Sequence, residues 1–464
     1  RGASKKAVYN AVRITAQKPT RLFTDAQTTE QWRDKGFFSV TANTQEGNKN
    51  NSILLQLLEA KRKHPVNTGE YFPEISKWSC AANPRQLGGY LYKHPNQGMP
   101  YGFPPLSEKE YQMVATWLQQ GSPGPSKAEQ QQLISPSPAA QTEIKQWEEF
   151  LNQDDAKHAM TARYLYEHLF LAHLNFNDAA PKEFYQIVRS RTPSGEPIDI
   201  IATVRPYDDP GVDSFYYRFR KIHSTLVHKT HMVFKLDDSK LQRFKSLFID
   251  PQWNETPYRV SYKDKISANP FSAFAQIPAQ SRYQFLLDNS EYIIRTFIRG
   301  PVCKGQIALN VIHDHFWVMF LDPKSDMTLQ EPGFLVEQTN NLSLPTEKGS
   351  NVALRKVFSN VYRDHYSEFF HAKEELYRRY ESKLDLNSIW KGEKSEDAPI
   401  LTVYRHFDSA SVHKGVLGDL PLTLWIIDYP LFERIYYALV AGFDVFGNVT
   451  HQTNVRRYMD YLRM

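Results

Sequence analysis

Met99 lies in the stretch His94-Pro95-Asn96-Gln97-Gly98-Met99-Pro100-Tyr101, where a glycine before it and a proline after it set a turn. A methionine thioether is a soft ligand of the kind haem iron accepts, and such a turn aims the sulfur in one direction. The helix that should follow carries Tyr111 and Trp117, aromatic side chains able to wall a porphyrin. Met99 is therefore a candidate axial ligand, and Tyr111 and Trp117 a candidate cofactor-binding wall. The sequence holds no Cys-x-x-Cys-His to attach a haem, and an ordinary turn packed on a neighbouring helix accounts for Met99 as well.

Histidine is the second chemical resource, grouped as His228 with His231, His313 with His315, and His406 with His413. On a strand, His313 and His315 would share one face and supply part of a metal site, but no nearby carboxylate or cysteine completes the ligand set. Arg189, Arg191 and Arg205 sit in the proline-stiffened stretch "VRSRTPSGEPIDIIATVRPYDDPG". Guanidinium groups held in that way suit substrate phosphate or carboxylate. Ion pairs with Asp199, Asp208 and Asp209 account for them nearly as well. Gly-x-Ser-x-Gly, phosphate-loop and dinucleotide fingerprints are missing, which sets aside the commonest hydrolases, nucleotide enzymes and NAD enzymes.

The elements that must position these groups follow from pattern. Residues 52–61 put Ile53, Leu54, Leu57 and Leu58 on one helical face. A capping box of Ser107 and Glu110 opens a helix over 108–120 with a stripe of Tyr111, Val114, Trp117 and Leu118, closed by Gly121. The Gly, Pro, Ser and Gln density of residues 123–140 predicts a linker between a domain over 1–122 and a larger one over 141–464. The larger domain begins with helices over 142–153 and 158–174. It continues with short β-branched and aromatic runs, "FYQIVRSRT", "FYYRFRKI", "TLVHKTHMVFKL", "HFWVMFLD", "LTVYRHFD" and "LTLWIIDY", among helices at 361–384 and 431–441. This is an α+β pattern with a mostly antiparallel sheet and no internal repeat. The 464 residues, 41% hydrophobic, suffice for about two to three domains. A net charge of +5, evenly spread, gives no case for nucleic acid, and no apolar run reaches the roughly 18–20 residues of a membrane span. Cys80 and Cys303 fit no zinc, redox or catalytic spacing.

Taken in order, "RGASKKAVYNAVR", "PTRLFTDAQTTEQWRDKGF", "KHPNQGMPYGFPPLSEKEY", "YEHLFLAHL", the arginine stretch, "VHKTHM", "RGPVCKGQIALNVI", "TVYRHFDSASVHKG" and "YPLFERIYYALVAGFDVFGN" resemble the bacterial fatty acid cis/trans isomerase family from end to end. The resemblance implies a periplasmic protein with a helical, cytochrome c-like front part whose haem c is attached upstream of Arg1. Cys80 would then have a possible pairing partner upstream as well. It implies conversion of cis double bonds in membrane phospholipid acyl chains to trans, without bond migration, as an adaptation to membrane stress. The haem iron would lower the bond order, and the second domain would form the acyl channel. On that reading Cys303, His313, His315, Arg405, His406 and Asp408 are the candidate catalytic or channel residues. Two other classes remain open: a periplasmic electron-transfer cytochrome with a partner-binding domain, and a lipid-binding envelope protein.

Overall fold

The computed structural model describes residues 28–34, 39–41, 52–65, 81, 84–101, 103–176, 178–203, 205–222, 230–253, 255–262, 265–300, 313–345, 347, 361–393, 399–406, 410–443 and 449–462. The chain divides into two compact units, residues 1–132 and 133–464. The division falls inside 123–140, and part of that expected linker is helical, over Lys127–Ile134.

In the first unit, helix α1 (Ile53–Lys63) starts at Ser52, whose hydroxyl accepts the Leu55 N–H at 3.1 Å. Helix α2 (Glu108–Gln119) starts with the reciprocal Ser107–Glu110 box. Its buried stripe is Tyr111, Ala115 and Leu118, and the first two pack with Leu58 of α1. Trp117 is not in that stripe. It lies about 200° round the helix from Ala115, is 38% exposed, and donates its indole N–H to the Pro123 carbonyl. Gly121 ends the helix at φ +89°, a conformation glycine adopts without a Cβ penalty.

The second unit opens with helices α3 (Pro138–Leu151) and α4 (Ala156–Leu169). The pattern over 158–174 predicts one helix; instead the chain turns after Leu169 and enters a sheet. That sheet consists of β1 (His173–Phe176), β2 (Tyr185–Ser190), β3 (Tyr216–Lys221) and β4 (Val233–Leu236), in the order β3-β2-β1-β4. Helices α5 (Asp238–Phe248), α6 (Ala279–Asp288) and α7 (Ser290–Arg299) follow. The second sheet contains β5 (His315–Phe320) and, after helix α8 (Val361–Arg379), β6 (Leu401–Arg405), β7 (Ala410–Lys414) and β8 (Leu424–Ile427), in the order β7-β6-β5-β8. Helix α9 (Tyr429–Tyr436), extended by a π-helical turn over Tyr437–Ala441, and helix α10 (Val449–Leu462) complete the unit.

Two sheets stand where one was expected, and they repeat one topology. In each, the first three strands form an antiparallel meander and the fourth lies parallel to the first. The registers agree as well. Leu174 faces Tyr185 as Val318 faces Leu401, Phe176 faces Leu236 as Phe320 faces Ile427, and Tyr185 faces Lys221 as Leu401 faces Lys414. Counting four residues along β2 and β6 makes Arg189 and Arg405 equivalent. Each fourth strand runs into an aspartate that caps the next helix: Asp237 accepts from Lys240 N–H, Asp428 from Leu431 N–H. Few side chains match between the halves, so the repeat is invisible to a search for similar residues.

The core is aromatic. Trp147 meets Phe150 and Phe244 edge-on, and Tyr164 packs on Phe248, Phe274 and Phe285. Glu148 ties α3 to β3, accepting Arg218 Nε at 2.9 Å and Phe219 N–H at 3.0 Å. Both aromatic residues at the equivalent sheet positions are fully covered, Phe176 against Phe219 and Phe320 against Phe432. Phe176→Ala and Phe320→Ala should each cost about 3–5 kcal/mol. Both should lower the same urea-unfolding transition of the second unit, because one continuous core joins the two sheets.

Candidate functional site

Helix α9 carries two working faces. At helical spacing, Tyr429, Glu433, Tyr436 and Tyr437 share one side and Leu431, Ile435 and Leu439 another. On the polar side, Glu433 Oε1 lies 2.6 Å from His168 Nε2 of α4, with both side chains fully buried. His168 Nδ1 is 2.8 Å from the Tyr164 carbonyl, which can only accept, so Nδ1 carries a proton. A hydrogen bond therefore joins His168 to Glu433 through the other ring nitrogen. Tyr164 donates to the other Glu433 oxygen at 3.3 Å, Tyr436 donates to the His168 carbonyl, and Tyr437 donates to Glu167. Glu167 in turn accepts Arg163 Nε at 2.8 Å. Burial holds the Tyr164, Tyr436 and Tyr437 phenols well above the usual range, so they remain protonated donors.

The N-terminus of α9 closes a second knot. Asp428 is buried, which would raise its pKa, but the Lys373 ammonium against it brings it below the ordinary value. Asp326 moves the other way, raised by burial and then by the Asp428 charge. Its oxygens accept from the Thr328 N–H, the Thr328 hydroxyl and the Tyr429 N–H.

The opposite side of α9 faces a cavity of about 220 Å³. Its lining is Phe297, Leu424, Trp425, Ile426, Ile427, Leu431, Ile435, Leu439, Met459 and Leu462, all apolar. Apolar side chains make hydrophobic and dispersion contact the main attraction this cavity offers, which suits a hydrocarbon segment. A second, larger cavity of about 460 Å³ is mixed: Lys235, Lys240, Arg295 and Lys414 share its lining with Asp288, Glu291 and apolar residues, and Arg295 is paired with Glu291 at 2.9 Å. Burial, together with the nearby Lys414 charge, lowers Lys240 to about 8.

The structure gathers part of the expected catalytic set. His315 opens β5 opposite Tyr404, and Arg405 ends β6 with its N–H donating to the Asp314 carbonyl. His406 and His413 both reach the Ser411 hydroxyl at 2.8 Å. His313 precedes the strand and is exposed, whereas His315 is buried, so their rings do not share a strand face. His315 Nε2 is turned to the Asp419 carbonyl at 2.8 Å and Nδ1 to Asp314 at 3.1 Å; these acceptors raise its pKa. Among the described residues no group of three or more His, Cys, Asp and Glu side chains is placed to hold a metal ion. Cys80, Cys303, Asp408 and His228 lie outside the described residues.

The three arginines separate. Arg191 pairs with Asp199 and Arg205 with Asp208, the ion pairs the sequence offers. Arg189 is not presented on a loop: it is buried in β2, donating to Thr203 Oγ1 at 2.8 Å among the rings of Tyr166, Phe215 and Tyr262. The residues that sequence reasoning missed are Glu167, His168 and Glu433. Their signal is a charged or titratable side chain inside an otherwise apolar helical run, as in "YEHLFLAHL" and "YPLFERIYYALVAG".

A sequence profile of fatty acid cis/trans isomerases matches residues 17–464. The chain belongs to the fatty acid cis/trans isomerase family. Membership makes cis/trans isomerisation of fatty acids its reaction, and both "YEHLFLAHL" and "YPLFERIYYALVAG", which meet at His168 and Glu433, fall inside the matched span. Searches of curated proteins and of solved structures find no match.

The residues expected to hold a haem fit that group only in part. Met99 is 43% exposed, and its loop is seated on α1: its N–H donates to the Leu57 carbonyl, and a Cβ on Gly98 would come within 2.4 Å of Lys61 N. Its thioether and the outer face of Trp117 can therefore meet a planar apolar group. Tyr111 cannot serve as a wall, because it is buried, donates to Glu59 and lies beneath Arg62.

Removing Glu433 leaves a buried histidine and a buried phenol without their partner. Glu433→Ala should cost about 3–5 kcal/mol in urea unfolding, and Glu433→Gln, which keeps the shape and one acceptor, distinctly less. Lys240, lowered in the folded state, penalises folding below about pH 8. Stability from this group should therefore rise between about pH 8 and the ordinary lysine value of 10.5. Lys240→Met should remove that rise, worth roughly 3 kcal/mol, when the two proteins' unfolding free energies are compared across pH.

Proposed function

We propose that the chain converts cis double bonds in the acyl chains of membrane phospholipids to trans, without moving the bond, in the periplasm and with haem c as cofactor. The observation that carries the reading is the family match over residues 17–464. The apolar cavity beside β8 supports it: Phe297, Trp425, Leu431, Ile435 and Leu439 would hold an acyl segment and exclude water. None of the ten lining side chains is an acid or a base near neutral pH. Migration of a double bond by proton transfer needs such a group beside the allylic carbon, so this lining favours rotation over migration.

Haem, when bound, supplies an iron able to draw electron density from a π bond. Met99 would hold it through the thioether, with Trp117 beside it. The second unit's own contribution would be to hold the acyl segment and exclude water from the cavity, a role that the apolar stripe of Leu431, Ile435 and Leu439 on α9 supports.

Gas chromatography of methyl esters from phospholipid vesicles incubated with haem-loaded protein should show new trans isomers at unchanged bond positions. An unchanged profile with haem in place would turn the reading to an electron-transfer cytochrome. Met99→Ala should shift the haem absorption spectrum; an unshifted spectrum would remove Met99 as a ligand.

A further inference from the structure

The run from Gly415 to Ile427, "GVLGDLPLTLWII", holds Asp419 as its sole charged residue. It crosses from β7 to β8, and its leucines point outward. Leu420 is 84% and Leu422 83% exposed, followed at the same two-residue spacing by Leu424 at 46% and Ile426 at 51%; Val416 and Leu417 are exposed beside them. Large aliphatic side chains bared together in this way mark a surface that meets another apolar phase.

The backbone of this ridge is fastened from behind. The Thr402 hydroxyl donates to the Gly415 carbonyl at 2.7 Å and accepts the Leu417 N–H at 3.0 Å. Trp317 donates its indole N–H to the Leu417 carbonyl at 3.2 Å, and His315 faces the Asp419 carbonyl at 2.8 Å. Gly418, at φ +79°, sits so close that a Cβ would lie 2.7 Å from the Tyr404 hydroxyl. Backbone groups of Gly415, Leu417 and Asp419 are thus engaged by the protein while the leucines beyond them face out. Because those peptide groups are already paired, they add no cost of an unsatisfied backbone when the neighbouring side chains enter hydrocarbon. It also gives His315, expected in catalysis, a positioning task.

The ridge and the cavity are continuous. Leu424 and Ile426 belong to both, being exposed on the ridge and part of the cavity lining, while Ile427, Ile435 and Leu439 lie buried behind them. We propose that the 416–426 ridge is the surface on which the protein docks to a phospholipid bilayer, and that the cavity mouth at Leu424 and Ile426 admits an acyl chain directly from it. Three observations choose lipid as the occupant. The family acts on fatty acids, whose tails are the hydrocarbon of a bilayer. The ridge is aliphatic, whereas protein interfaces concentrate their binding energy in Trp, Tyr and Arg and under-use Leu and Val. His413 and Lys414, both exposed, stand immediately before it, where anionic headgroups would lie. At about 220 Å³ the cavity is below the roughly 300–1,000 Å³ of whole-ligand sites. It therefore takes a segment of a chain whose remainder stays in the membrane. The inference rests on the lipid-isomerase reading for its substrate.

Flotation of the full chain with phosphatidylethanolamine–phosphatidylglycerol vesicles tests it. The double variant Leu420→Asp with Leu422→Asp should lose at least tenfold in partition coefficient. Leu420→Trp with Leu422→Trp should keep binding and show indole emission quenched by lipids brominated along the acyl chain. Unchanged partition of the aspartate variant, or ridge tryptophans that brominated chains do not quench beyond wild type, would overturn the proposal. So would a wild-type dimer that the aspartate pair splits in sedimentation velocity with lipid partition unaltered, which would make the ridge a contact between copies. Chromatography of the same vesicles separates the two ideas. Trans product with ridge-independent binding would defeat the docking surface alone, whereas ridge-dependent binding without trans product would defeat the isomerase reading alone.

Discussion

The hydrogen bond between Glu433 and His168 joins two helices that lie far apart in the chain and that both contribute to the one core of the second unit. Two titratable groups are held out of water at 2.6 Å, with the remaining His168 nitrogen and the second Glu433 oxygen also engaged. Desolvating such a pair is expensive, and close geometry with satisfied neighbours is what makes it tolerable. The arrangement leaves α9 little freedom to rotate, because Tyr436 and Tyr437 from the same face reach the His168 carbonyl and Glu167. Rotation is what must be prevented. A turn of α9 would carry Leu431, Ile435 and Leu439 away from the cavity they line.

The repeated sheet topology gives this helix its frame. Each sheet ends in a strand parallel to its first, followed by an aspartate cap and a helix, α5 in one and α9 in the other. The two copies are used differently. Behind Asp237, Lys240 lines a cavity of mixed charged and apolar character; behind Asp428, the helix separates a buried acid–histidine pair from a cavity lined by apolar side chains. A shared backbone plan with unlike side chains is how one architecture carries two environments.

Local readings from sequence held where the deciding physics is local. The Ser107–Glu110 box, the Gly121 terminus and α1 follow from capping and periodicity within a few residues. They weakened where a competing partner lay elsewhere. The α4 pattern runs on through Leu174, yet His173–Phe176 leave it for parallel pairing with β4, about sixty residues later. Trp117 fits a helical stripe as well as Ala115 does, and only the position of α1 selects the face that is buried. Arg189 shares a polar stretch with Arg191 and Arg205, but strand alternation sends it inward among tyrosines.

By itself the sequence determined the mixed helix-and-strand composition, the capped helices, most of the strands and, through its likeness to a family, the reaction. Those depend on neighbours along the chain or on the whole string of residues at once. The candidate site belongs to tertiary structure. His168 and Glu433 are 265 positions apart, Leu424 joins Phe297 and Leu462 around one cavity, and His315 is drawn to the backbone of Asp419. No local propensity encodes such meetings. They arise because burial of two apolar layers brings helices together, and the polar groups caught between them must then find partners there.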